Sequence, residues 1–149
     1  MLTGNDKAEI LRITNLLDQH FKIKNLGDLT YFLGFEVARN SSKIHLSQRK
    51  YTIDLLHEMD IQDCAHMPTP MAHTSRISTT KGTPLNDEEA STYCKLIGRL
   101  IYLTNTRPDI AFSVHNLSRF VSAPTNNHHQ AFFRILKYLK GNLGSGIFI

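Results

Sequence analysis

The sequence predicts an α+β fold, one helix and a β-hairpin followed by a small helical bundle. Three observations carry that prediction. Apolar residues recur at helical spacing over residues 10–21 and again in three stretches after residue 86. Apolar and other residues alternate through 29–37, and the alternation resumes at 44–46. A proline- and Ser/Thr-rich run at 63–85 separates the two patterns. With 149 residues, 41% of them hydrophobic and 20% charged, the chain can build one domain with a real core or two small lobes.

Met1-Leu2-Thr3 reads as the tail of a strand closed by Gly4-Asn5. Asp6, with Glu9 three residues on, has the pattern of a capping box. The helix it opens runs to His20-Phe21, and Ile10, Ile13, Leu17 and Phe21 are its expected core stripe. Leu29, Tyr31, Leu33, Phe35 and Val37 then alternate with Thr30, Phe32, Gly34 and Glu36 as in a strand. Arg39-Asn40-Ser41-Ser42 is turn chemistry, and Ile44 and Leu46 lie on the returning strand. This hairpin puts Gly34 on the face opposite the apolar row, where a strand glycine marks close approach of a backbone or ligand.

Tyr51, Leu55 and Leu56 predict a short helix over about 48–59. Pro68, Pro70 and Pro84, around the polar run Thr74–Thr83, make 63–85 an expected linker. The expected organisation is therefore 1–62, linker 63–85, and helical bundle 86–149. Asn86 with Glu89 caps the first bundle helix, which buries Tyr93, Leu96, Ile97, Leu100 and Ile101. Thr106-Arg107-Pro108-Asp109 reads as another capping box, opening a helix with the stripe Ile110, Val114, Leu117 and Val121. The last helix follows Pro124-Thr125, buries Phe132, Ile135, Leu136 and Leu139, and stops at Gly141. Gly146–Ile149 opens a further strand.

The formal net charge is +4, and it is concentrated in the second half. Residues 1–62 are balanced, whereas Lys95, Arg99, Arg107, Arg119, Arg134, Lys137 and Lys140 face a single acid, Asp109, over 95–140. Lys95 and Arg99 stand at i, i+4 off the buried stripe of their helix; Arg134, Lys137 and Lys140 recur every three residues outside theirs. Such spacing suits a phosphate backbone, and equally a merely solvated basic surface. No apolar run approaches the ~20 residues of a membrane helix, and the N-terminus lacks the pattern of a signal peptide. Two cysteines, Cys64 and Cys94, without a Cys-x-x-Cys, point to a reducing intracellular compartment, cytoplasm or nucleus. Cys64 and His66 with His57 or His73 match no compact metal-site spacing. His128-His129 is expected in solvent, and Asp87-Glu88-Glu89 as a helix N-terminal cluster. No Gly-x-Ser-x-Gly elbow supports a hydrolase.

The order Asn25-Leu26-Gly27-Asp28-Leu29-Thr30-Tyr31-Phe32-Leu33-Gly34-Phe35-Glu36-Val37, then Leu46-Ser47-Gln48-x-x-Tyr51, resembles the copia-type retrotransposon reverse transcriptase. The resemblance continues through Pro68-Thr69-Pro70-Met71, Tyr93-x-x-Leu96-Ile97-Gly98-x-Leu100-x-Tyr102-Leu103, Thr106-Arg107-Pro108-Asp109-Ile110 and Leu136–Gly141, and so spans nearly the whole chain. It implies a partial palm whose hairpin, Phe32, Leu33, Gly34, Phe35 and Glu36, is the primer grip. It also implies a thumb whose Lys95, Arg99, Arg134, Lys137 and Lys140 contact an RNA–DNA or DNA duplex. In the family a Tyr-x-Asp-Asp turn precedes the strand ending in Thr-Gly, and this chain starts just after that position. No Asp-Asp occurs in the sequence, so no catalytic or metal-binding residue is assigned and the chain alone is expected to be inactive. Mg²⁺ is expected only for the complete polymerase. The implied partners are nucleic acid and the fingers, catalytic palm and ribonuclease H parts of the same Pol polyprotein, with no membrane. The alternative is a non-catalytic nucleic-acid-binding or protein-interaction remnant.

Overall fold

The computed structural model describes residues 2, 4–25, 27–72, 77 and 82–149. Met1 and Thr3 of the expected strand tail, His73, and 74–76 and 78–81 of the polar run lie outside the described residues. Among the described residues the architecture is α+β, with five α-helices and a four-stranded antiparallel sheet.

Helix α1 (Lys7–Phe21) starts where its cap dictates: the Asp6 carboxylate accepts from the backbone N–H groups of Ala8 (2.9 Å) and Glu9 (3.1 Å). Glu9 does not complete the box, because its carboxylate is taken by Arg12 (2.6 and 2.8 Å). The expected core stripe is also corrected. No residue of α1 is buried, and Phe21 is 71% exposed. Periodicity marks an apolar face correctly but cannot supply its cover.

The strands are β1 (Tyr31–Phe32), β2 (Phe35–Arg39), β3 (Ile44–Ser47) and β4 (Gly146–Phe148), in the order β1-β2-β3-β4. The alternation through 29–37 predicts one strand, but the structure breaks it at Leu33-Gly34. Phe32 pairs with Phe35, so Leu33 and Gly34 form a two-residue loop. Their φ values of 49° and 83° meet the type I′ requirement for two positive φ angles. The turn between β2 and β3 is as expected, with the Asn40 side-chain oxygen accepting from the N–H groups of Ser42 (3.0 Å) and Lys43 (2.7 Å). β4 pairs with β3, His45 opposite Phe148, which brings the strand after the helical bundle into one sheet with the hairpin strands.

Helices α2 (Arg49–Glu58), α3 (Asp87–Leu103), α4 (Ala111–Ser118) and α5 (Asn126–Gly141) enclose the core. A 3-10 turn, Pro108–Ile110, leads into α4. Leu55, Leu56 and Ile61 share this core with Tyr93, Leu100, Leu117, Phe132 and Leu136, so the core crosses the boundary expected at 63–85. Burying each such side chain contributes roughly 1.5–3 kcal/mol. The described parts of 63–85 are strapped to α5. Met67 N–H donates to the Lys137 carbonyl (3.2 Å), and Leu85 N–H to that of Pro124 (3.0 Å). Asn126 and Thr83 exchange two bonds, both 3.0 Å.

Three details of the bundle differ from expectation. Ile101 is 49% exposed while Leu103 is buried, because Leu103, three residues after Leu100, continues the stripe and Ile101 falls at its edge. Val121 lies beyond the end of α4, and Phe120 is the residue that turns inward. His128, expected in solvent, is fully buried. Its Nδ1 accepts from Thr125 N–H (2.9 Å) at the start of α5, and its ring stacks on Phe120 at 4.3 Å.

Candidate nucleic-acid interface

The hairpin tip carries two successive positive φ angles, at Leu33 and Gly34. Leu33 holds a left-handed conformation that costs a non-glycine residue about 1–2 kcal/mol, yet its side chain is 70% exposed and buries little in return. The compensation comes from α3. The Tyr102 hydroxyl donates to the Leu33 carbonyl. The Tyr102 ring meets Phe35 at 5.9 Å and Tyr51 at 5.1 Å, both edge-on. A Cβ on Gly34 would stand 2.8 Å from the Tyr102 oxygen, so glycine is needed there both for its φ and for space.

Tyr102 leads directly to two of the expected basic residues. Arg99 lies three residues before it on α3, and its guanidinium sits over the Tyr51 ring at 5.6 Å. Arg99 also forms an ion pair with Glu58. Partial desolvation works to lower its pKa, but the bonds to Glu58 and Tyr51 outweigh this and hold the guanidinium above its ordinary value. Lys95 follows one turn earlier and is exposed. The structure therefore brings Phe32, Leu33, Gly34 and Phe35 together with Arg99 and Lys95 along one side of α3. Glu36, from the same hairpin, acts elsewhere. Its carboxylate accepts from Lys50 N–H (2.7 Å) at the start of α2, where a negative charge is favoured.

The α5 cations form a different group. Arg134 donates to the Thr69 carbonyl (3.2 Å) and hydroxyl (2.9 Å), and Lys140 to the Cys64 carbonyl (2.5 Å). Lys137 is half-buried between them. Among the described residues no hydrogen bond, ion pair or ring contact joins this group to the α3 cations.

Residues singled out only as parts of motifs turn out to be joints. Thr106, expected to cap a helix, donates instead to the buried Gln48 side-chain oxygen (2.8 Å), tying the start of α2 to the end of α3. Arg107, only 2% exposed, grips Asp109 through two nitrogens (2.9 and 2.7 Å) and donates to the Asn142 carbonyl (2.8 Å). Tyr138 of α5 adds a bond to Asp109 (2.8 Å). Partial burial works to raise the Asp109 pKa, but the bonds from Arg107 and Tyr138 outweigh it and hold the carboxyl below its ordinary range. Polar and aromatic residues off the buried stripes, such as Tyr102 and Arg107, were the available signal. Spacing alone assigns them no partner. Among the described residues no cluster of three His, Cys, Asp or Glu could hold a metal, and no helix is long and apolar enough to cross a membrane.

Residues 1–73 match the family model described as reverse transcriptase (RNA-dependent DNA polymerase). Over its whole length the chain is 41% identical to the retrovirus-related Pol polyprotein from transposon RE1 of Arabidopsis thaliana and 39% identical to that from transposon RE2, in each case covering 10% of the relative. It is 34% identical to the Pol polyprotein from transposon TNT 1-94 of Nicotiana tabacum, with 97% of this chain aligned and 11% of the relative. The chain thus spans about a tenth of the length of these relatives. No solved structure matches significantly. By its matched residues the chain is of the reverse-transcriptase class. Within that class it belongs to the copia-type retrotransposon Pol polyproteins.

Proposed function

We propose that this chain is the primer-grip and thumb part of a copia-type reverse transcriptase, contacting a template–primer duplex without supplying catalytic groups. The observation that carries this reading is the continuous side of α3, where the conformationally costly tip Phe32–Phe35, exposed at Phe32 and Leu33, adjoins Arg99 and Lys95 through Tyr102. Exposed backbone at a hairpin tip can meet a strand terminus, and cations one and two turns along a helix can follow its phosphates. The α5 cations have a lesser share, since Arg134 and Lys140 already donate to the 64–69 segment. The exposed apolar residues of α1, Leu11, Leu16 and Phe21, would be covered by another part of the polyprotein. Mg²⁺ belongs to the complete polymerase, and no residue here is proposed to hold it.

Affinity for a template–primer duplex, measured across a salt series, tests this reading. Each phosphate neutralised contributes about 0.9 to the slope of log K against log[salt]. Replacing Lys95 and Arg99 together by Ala should reduce the slope by about one to two units, the lower end reflecting the share of Arg99 held by Glu58. Duplex binding with no salt dependence, or a slope unmoved by the double replacement, would refute the α3 assignment.

A further inference from the structure

The geometry of the hairpin tip poses a question that its own strands do not answer. β1 is only two residues long and lies at the sheet edge, so the tip is held to β2 by the pairs Tyr31–Glu36 and Phe32–Phe35 and by the bond from Val37 N–H to the Thr30 carbonyl (2.8 Å) just beyond them. So short an edge ladder cannot by itself fix a turn containing an exposed leucine at positive φ. The contact that does so comes from 69 residues away in sequence, the bond from the Tyr102 hydroxyl to the Leu33 carbonyl. Tyr102 is itself well oriented. The α3 backbone carries it, Tyr51 of α2 packs on its ring, and Phe35 of β2 closes against another edge. Gly34 completes the fit, because any side chain there would displace the phenol oxygen.

We infer that Tyr102 is a positioning residue whose hydroxyl latches the Leu33-Gly34 turn onto α3, so that the hairpin tip and the Lys95–Arg99 face present themselves to a duplex as one rigid surface. The consequence for a primer terminus rests on the duplex-binding reading above; the latch itself does not. Tyr102 and Gly34 act as a matched pair. The hydroxyl requires the missing Cβ, and the missing Cβ lets the hydroxyl reach the neighbouring carbonyl.

The test uses three variants of the full chain: Tyr102→Phe, Gly34→Ala and the two combined. In Tyr102→Phe, amide hydrogen exchange over residues 31–37 should quicken about 5- to 10-fold, as expected for one lost hydrogen bond, while the amides of α3 and α5 keep their protection. Gly34→Ala should loosen the same amides, and by a smaller factor in the Tyr102→Phe background, where the clash with the hydroxyl is gone. A fluorescent base analogue at the primer 3′ end reads the functional consequence. Tyr102→Phe should abolish at least half of its response while overall duplex affinity stays within about twofold, since a hydroxyl that touches no phosphate leaves the electrostatic affinity alone. Unchanged exchange over 31–37, or an equal effect of Gly34→Ala in both backgrounds, would overturn the latch. If the wild-type chain binds no duplex, the duplex reading fails, and the exchange measurements still decide the latch.

Discussion

Helices α1 and α3 begin alike and finish in different surroundings. They have 15 and 17 residues, each opens on a capping Asp or Asn, and each carries an apolar stripe at helical spacing. Yet α3 buries Tyr93, Leu96, Ile97, Leu100 and Leu103, whereas in α1 Ile10, Ile13 and Leu17 are only half-buried and Phe21 is exposed. The difference lies in the elements around them. α3 packs on α4, and α5 closes over α2 and α4 to finish the core; the hairpin that follows α1 instead turns its Phe35 ring towards α3. An amphipathic stripe states that a face can be covered, and only the rest of the structure states by what.

The largest expected effects set the two helices apart directly. Leu100→Ala and Phe132→Ala empty fully buried positions and should lower unfolding stability by about 3–5 kcal/mol in urea titrations. Leu16→Ala and Phe21→Ala remove side chains that are 49% and 71% exposed and should change it by no more than about 0.5 kcal/mol. A loss at Leu16 comparable to that at Leu100 would break the contrast.

Two carboxylates sharpen it at the next level. Glu9 on α1 and Asp109 beside the bundle are each held below their ordinary pKa by an arginine partner, Glu9 by Arg12 and Asp109, against its own desolvation, by Arg107 and Tyr138. The Arg12–Glu9 pair stands in solvent, whereas Arg107 is nearly inaccessible and also reaches the Asn142 carbonyl. Because the folded pKa of Asp109 is depressed, its contribution is complete above the unfolded value near 3.8 and is lost as the pH falls through and below it. Asp109→Asn should therefore cost about 1–2 kcal/mol at neutral pH, a figure discounted for the partly exposed carboxylate, and should flatten the acid limb of the stability profile. Glu9→Gln should leave the profile of the bundle unmoved.

Much of the fold was legible because it depends on local chemistry. Asn86 and Glu89 form the reciprocal box that their spacing announces (2.9 and 3.1 Å), the bundle helices begin within a few residues of their expected starts, and four of the five residues assigned to the α3 stripe are buried. What escaped depends on distance. The Leu33-Gly34 turn was hidden inside an unbroken alternation, since a two-residue loop preserves period-two patterning on both sides of it. The site was legible only as a set of residue types. Sequence marked the hairpin and the cations, but not that Tyr102 joins the tip to Arg99 and Lys95, nor that Thr69 and the Cys64 carbonyl already engage Arg134 and Lys140.

The smallest effect bears most directly on whether α1 and the bundle unfold together. Asp6 and Asn86 do the same thing locally, Asp6 accepting two backbone N–H groups and Asn86 one at the first turn of its helix. Removing such a cap costs about 1 kcal/mol, but which equilibrium bears the cost depends on what the helix is packed against. Asn86→Ala should shift the global urea midpoint, because fraying α3 exposes the core residues that follow the cap. Asp6→Ala should reduce helical circular dichroism with the midpoint unchanged, because α1 can melt without opening the core. Equal midpoint shifts in the two variants would mean that α1 is coupled to the bundle although its stripe is at most half-buried, and α1 and α3 would then differ in burial but not in cooperativity.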